Sequence, residues 1–181
     1  MASMEYSADS AQVSTGCSCI GRFLGLAFEW SVNYLGPMPK FEFCIPTVGT
    51  AVPNGAEWFH EIKYDGHRLR IERDRSSVRL ITRGDHDWTK RFPWIAEADV
   101  KNRRKKVVMD GEAVILGADG VSDFNARHSG KQNGKVQLCA FDVLAIDGDD
   151  LRELPLAKRK VRLERLERLL KGRPDGIFVN P

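Results

Sequence analysis

Six short runs, near 58–64, 67–73, 77–82, 106–116, 136–146 and 176–179, carry apolar residues and are set apart by turn residues such as Asp65-Gly66, Ala118-Asp119-Gly120 and Asp147-Gly148. Runs of that length between Gly and Asp clusters read as strands joined by tight turns. Two segments read as helices, near 88–101 and 155–171. The second carries Leu156, Val161, Leu163, Leu166, Leu169 and Leu170 among alternating charges, which is the apolar spacing of a helix laid on a core. The expectation is an α+β domain built on an antiparallel sheet, with no internal repeat.

Chemistry concentrates where the first run meets its turn, in Glu61-Ile62-Lys63-Tyr64-Asp65-Gly66. In extended chain, side chains alternate between faces, so Glu61, Lys63 and Asp65 share one side and Ile62 and Tyr64 the other. The apolar pair is expected to face a core and the charged trio a cleft, while Gly66 lets backbone or ligand approach closely. A lysine amine becomes a nucleophile once its proton is lost, which nearby positive charge or desolvation favours. Lysine and aspartate at alternate positions are also common on solvated sheet faces, so the hexapeptide gains weight only from the residues downstream of it.

Arg68 stands two residues past Gly66, and Arg83 closes the run Val78-Arg79-Leu80-Ile81-Thr82. Two arginines can therefore frame the lysine from adjacent strands. Asp110-Gly111-Glu112 interrupts the apolar run from Val107 to Leu116, and polar groups inside such a run need partners or a ligand. In Leu138-Cys139-Ala140-Phe141-Asp142-Val143-Leu144, Phe141 offers a ring face and Asp142 a carboxylate. Taken singly, Phe141 reads as core.

Together these pieces resemble the adenylation domain of ATP-dependent DNA ligases, with the nearest likeness to bacterial end-joining ligases and their small stand-alone relatives. The resemblance runs from Pro39 to the end of the chain. It includes Phe43-Cys44-Ile45-Pro46-Thr47, Trp58 to Arg68, Leu80-Ile81-Thr82-Arg83-Gly84 with Asp87 to Pro93, Met109 to Val114, Gly120 to Ala126 and Phe141 to Gly148. What it implies is an antiparallel-sheet nucleotidyltransferase fold, the ATP-grasp-like ligase adenylation fold, in incomplete form. Lys63 matches the nucleophile that attacks the α-phosphate of ATP and holds AMP. Glu61 matches the position beside adenine, Phe141 the ring that stacks on it, and Arg68 and Arg83 the contacts to nucleotide, ribose or a DNA 5′-phosphate. Glu112 matches the carboxylate of the ribose and metal region. The implied cofactors are ATP and Mg²⁺, with Asp65 and Glu112 as carboxylates for the metal. The implied partner is nicked or broken double-stranded DNA, in repair or recombination.

The family pattern continues past Pro181 with a Glu-Gly strand, a Lys-x-Lys strand and an OB-fold domain. The expectation is therefore an adenylation domain over 38–181 that is impaired in sealing unless a C-terminal fragment complements it, with one sheet edge left open and marginal stability. Lys158-Arg159-Lys160 has the letters of the second missing pattern but falls in the predicted helix, and reads as a solvated helix face. Residues 1–37 do not match the family and read as a poorly ordered extension. Two further readings stand beside DNA ligase: a non-catalytic remnant binding nucleotide or a partner, and an RNA ligase or capping-type nucleotidyltransferase.

Lys and Arg number 28 against 25 Asp and Glu, a net charge of +3 that says little about nucleic acid. The run Lys101-Asn102-Arg103-Arg104-Lys105-Lys106 reads as a solvated connection, with phosphate contact as the alternative. Cys17, Cys19, Cys44 and Cys139 lack metal-site spacing, as do His60, His67, His86 and His128, and idle thiols suit a reducing compartment. The apolar stretch from Ile20 to Trp30 is broken by Gly21, Arg22, Gly25 and Glu29, so neither a membrane span nor a signal peptide is read there and a cytoplasmic location is expected.

Overall fold

The computed structural model describes residues 12–13, 39–45, 47–48, 58–100, 104–123, 133–170 and 176–180. A short antiparallel pair joins β1 (Gln12–Val13) to β2 (Thr47–Val48). The principal sheet has six strands: β3 (His67–Asp74), β4 (Ser77–Thr82), β5 (Lys106–Val114), β6 (Gln137–Ile146), β7 (Asp149–Asp150) and β8 (Ile177–Val179). Their order is β4-β3-β5-β6-β7, with β8 also beside β6. Among the described residues the α-helices are α1 (Pro93–Val100) and α2 (Leu156–Leu170), with a single 3-10 turn at Asn133–Lys135.

Alternation along β3 divides the sheet into two faces. Leu69 and Ile71 join Leu80, Val107, Met109 and Leu138 in a core closed by Ile95 and Ala98 of α1 and by Leu163 and Leu166 of α2. Arg68 and Arg70 alternate with them, and the opposite face carries a smaller cluster of Phe41, Val108, Leu144 and Ala145. The β6–β7 hairpin turns through Asp147 and Gly148, with φ of 51° and 102°, the left-handed pair that a two-residue hairpin of this twist requires.

Several expectations are corrected. No strand forms over 58–64; that segment is irregular, and its backbone is held by side chains, Asn180 Nδ2 donating to the Ile62 carbonyl at 3.2 Å and Asp65 N–H to Ser122 Oγ at 3.2 Å. Ile62 does not face the core but is 53% exposed, whereas Tyr64 rests edge-on against Phe178 at 6.1 Å. The helix predicted from residue 88 begins at Pro93, because the Asp87 carboxylate accepts from both Thr89 N–H and Thr89 Oγ1 and fixes a turn there; proline suits a first helical position. The sheet is antiparallel except for β8, which runs parallel to β6 with Leu138 opposite Ile177. This strand covers part of an edge of β6.

The basic run of α2 is not a solvated face. Lys158 is exposed, but Arg159 is buried and its guanidinium meets Asp142 through two hydrogen bonds of 2.9 Å. Lys160 reaches the Glu61 carboxylate and the Phe141 carbonyl. In the other basic run, Arg104 pairs with Asp147 at 3.0 Å and Lys106 with Asp74 at 3.8 Å; residues 101–103 lie outside the described residues. So do the side chains of Leu169 and Leu170, and the extension over 1–37 apart from β1. No helix among the described residues is long and apolar enough to cross a membrane.

Candidate active site

A cleft of about 720 Å³ opens at the start of β3, and Lys63, Asp65, Arg68, Arg83 and Glu112 all line it. Five of the seven residues singled out in the sequence therefore meet at one place. Lys63 Nζ lies 2.6 Å from Asp65 Oδ1, and both side chains are well exposed, at 41% and 63%. Gly66 makes the junction with β3: a Cβ there would fall 2.4 Å from the Ala113 carbonyl oxygen and 2.6 Å from Glu112 Cγ. Only a residue without a side chain lets β5 approach this closely.

Arg68 is positioned by charge and by a ring. Its Nε and one terminal nitrogen donate to the two oxygens of Asp110 at 2.8 Å each, and its guanidinium carbon lies 4.4 Å from the Phe141 ring centroid. Burial opposes the Arg68 charge, but the hydrogen bonds and charge of Asp110, joined by Glu112 across the strands, outweigh it and hold the guanidinium above its ordinary value. Asp110 is itself buried, which pushes its carboxyl up against the pull of Arg68. Register shifts in β5 on either side of Met109-Asp110 break the regular ladder with β6 there. Such bulges re-aim side chains beside functional sites.

Arg83 stands just past β4, in a loop whose Asp85 has φ of 60°. Trp88 forms a wall of the cleft and meets His67 edge-on at 4.9 Å. Glu61 and Phe141 do not line the cleft. Glu61 turns to Lys160, and the Phe141 ring stacks on Arg68. Burial pushes the Cys139 thiol up to about 12, so it stays protonated and unreactive. Cys44 and Cys139 are free thiols, and Cys17 and Cys19 lie outside the described residues.

Sequence reasoning marked Asp110 as a polar group in need of a partner without naming Arg68, and missed the partners of Arg159 and Lys160. A sign of Arg159 was available: with Leu156, Leu163 and Leu166 it falls three, four and seven residues apart on a single helix stripe, where a charge needs a buried partner. Lys160 had no comparable mark, because its partner Glu61 is 99 residues away in sequence.

The ordered motifs and the sheet that carries them define a class, the nucleotide-dependent ligase domain. This chain belongs to the ATP dependent DNA ligase domain family, whose model matches residues 44–176. It is 36% identical to the multifunctional non-homologous end joining protein LigD of Pseudomonas aeruginosa over 145 residues, covering 77% of this chain and 17% of that protein. A probable DNA ligase of Streptomyces coelicolor is 35% identical over 140 residues, covering 71% of this chain and 27% of that one. Among solved structures, the ligase domain of Mycobacterium tuberculosis LigD matches with a TM-score of 0.57 and 32% identity, over 67% of this chain and 38% of that chain. A mycobacterial DNA ligase D complexed with ATP and MES matches with a TM-score of 0.56 and 31% identity. The chain thus spans less than half the length of these relatives.

Proposed function

We propose that this chain carries out the first chemical step of an ATP-dependent DNA ligase, transfer of AMP to Lys63. The Lys63 amine attacks the α-phosphorus of ATP, the N–P bond forms as the bond to the bridging α–β oxygen breaks, pyrophosphate leaves and the amine gives up its proton. The observation that carries this reading is the convergence of Lys63, Arg68, Arg83 and Glu112 on one cleft. Phosphoryl transfer depends on position and on cations that meet charge as it develops. Arg83 meets phosphate oxygens at the cleft mouth, while Arg68, locked by Asp110, presents a fixed charge.

Asp65 and Glu112 both line the cleft, and no group of three or more His, Cys, Asp or Glu side chains suited to a metal occurs among the described residues. A pair of carboxylates fits Mg²⁺, which keeps several waters and takes its remaining oxygens from substrate phosphates. When bound, Mg²⁺ neutralises phosphate charge. The acceptor of the AMP is the 5′-phosphate at a break in duplex DNA, in keeping with the end-joining and DNA-ligase relatives.

The test is the intact mass of the purified chain after incubation with ATP and Mg²⁺, beside a Lys63→Ala variant. A gain of one AMP by the wild-type chain alone supports the reading. No gain in a folded sample overturns it and leaves nucleotide binding as the function. Nicked DNA and nicked RNA duplexes, offered to the adduct, then separate a DNA ligase from an RNA ligase.

A further inference from the structure

We infer that Asn180 is a positioning residue for Lys63, holding the peptide unit from which the nucleophile projects. The inference rests on the adenylation reading and deepens it. Asn180 lies past residues 44–176, the span that the family model matches. Its side chain reaches back across the fold, where Nδ2 donates to the Ile62 carbonyl at 3.2 Å. The Ile62 carbonyl and the Lys63 nitrogen belong to one planar peptide unit, so a bond to that oxygen restrains the plane that leads into the Lys63 Cα.

The support for this contact comes from β8. Ile177 and Val179 pack on the core, so alternation turns Phe178 and Asn180 the other way. The Phe178 ring meets Tyr64 edge-on at 6.1 Å and Asn180 meets Ile62, and Lys63 lies between these two contacts in the chain. Asn180 is itself fixed, since its N–H donates to the Ala140 carbonyl at 2.8 Å and extends the pairing of Val179 with Ala140 by one residue. Ala140 is fully buried in the core. Asn180 therefore stands on a rigid element, as a positioning group must.

The segment it holds has no ladder of its own. Residues 58–65 belong to no strand, and no backbone–backbone hydrogen bond joins them to the rest of the described residues. Side chains take the place of a ladder: Lys160 on Glu61, Asn180 on Ile62, Phe178 on Tyr64 and Ser122 on Asp65. Among these, the Asn180 bond alone falls on a peptide unit of Lys63. The lysine stem is flexible, so a slack backbone lets the amine stray from the line of attack, and a misplacement of about 1 Å costs on the order of a hundredfold in rate.

The experiment follows single-turnover formation of the AMP adduct by intact mass, in the full chain with Mg²⁺ over a series of ATP concentrations. Asn180→Ala is expected to lower the maximal rate at least about tenfold, while the half-saturating ATP concentration stays within about threefold of wild type, because the arginines of the cleft are untouched. Val179→Ala, which trims the core-facing side of the same strand, is expected to keep the maximal rate within about threefold of wild type even where it lowers the melting temperature. If Asn180→Ala unfolds below the assay temperature, Asn180→Asp is read in its place, with the same shape but an acceptor facing the Ile62 carbonyl. A folded Asn180 variant with the wild-type maximal rate, or a Val179→Ala chain that slows as much as Asn180→Ala, overturns this proposal and leaves adenylation intact. A wild-type chain that forms no adduct overturns both.

Discussion

Arg68 reaches diagonally across the sheet to Asp110, two residues from its cross-strand neighbour Glu112, and closes both hydrogen bonds at 2.8 Å. The side chain of Asp110 is 3% exposed and that of Arg68 21%, so water cannot replace either partner fully. Removing one member of such a pair leaves a buried charge without its counter-charge. Asp110→Ala should therefore destabilise the fold by about 3 kcal/mol, read as a lower urea midpoint at unchanged slope, and should weaken ATP binding because Arg68 loses its fixed orientation.

Lys63 provides the contrast. Its pair with Asp65 is exposed on both sides, and pairs of that kind contribute no more than about 1 kcal/mol. Lys63→Ala should leave the melting temperature within a degree or two (~2 °C) of wild type while abolishing the AMP adduct in intact mass. Joint loss of stability and adduct would assign the lysine a structural part instead.

At Gly66 the constraint is steric. Any Cβ meets the Ala113 carbonyl oxygen and Glu112 Cγ well inside contact distance. Gly66→Ala should cost about 1–3 kcal/mol, seen in thermal unfolding, and should lower adduct formation in a folded sample, since it moves β5 and the 58–65 segment apart.

Asp99 of α1 is a source of pH dependence in the acid range. Both of its carboxylate oxygens are buried with no hydrogen-bond partner among the described residues, and burial pushes its carboxyl from 3.8 up to about 6, with Arg73 at 3.8 Å opposing the shift only in part. Between those two values the folded chain holds a proton that the unfolded chain has lost, so stability falls as pH rises through that window. The full cost above pH 6 is about 3 kcal/mol. Asp99→Asn should raise the melting temperature at pH 8, change it little at pH 4, and flatten the profile between; an unaltered profile would place the titration elsewhere.

Much of the sheet was legible because each of β3 to β6 carries its own alternation and its own turn residues, which are local properties. The boundaries of β3 and β4 fall within a residue of the predicted runs. The 58–64 segment was misread because its composition favours a strand, whereas strand formation needs a partner that no local pattern encodes. Lys63, Asp65, Arg68, Arg83 and Glu112 were found together because all lie at strand ends or turns that the fold brings to one cleft. Arg159 and Lys160 were assigned to solvent on charge alone; their partners Asp142 and Glu61 belong to elements remote in sequence.

The hold of Asn180 on the Ile62 carbonyl spans 118 residues. During synthesis at roughly 5–20 residues per second, the segment bearing the nucleophile leaves the ribosome on the order of ten seconds before the residue that ties it down. Lys160 comes 99 residues after Glu61 and arrives little sooner. The reactive lysine is thus made early and anchored late, so the nascent β3–β4–β5 ribbon can form while its most reactive neighbour is still untethered.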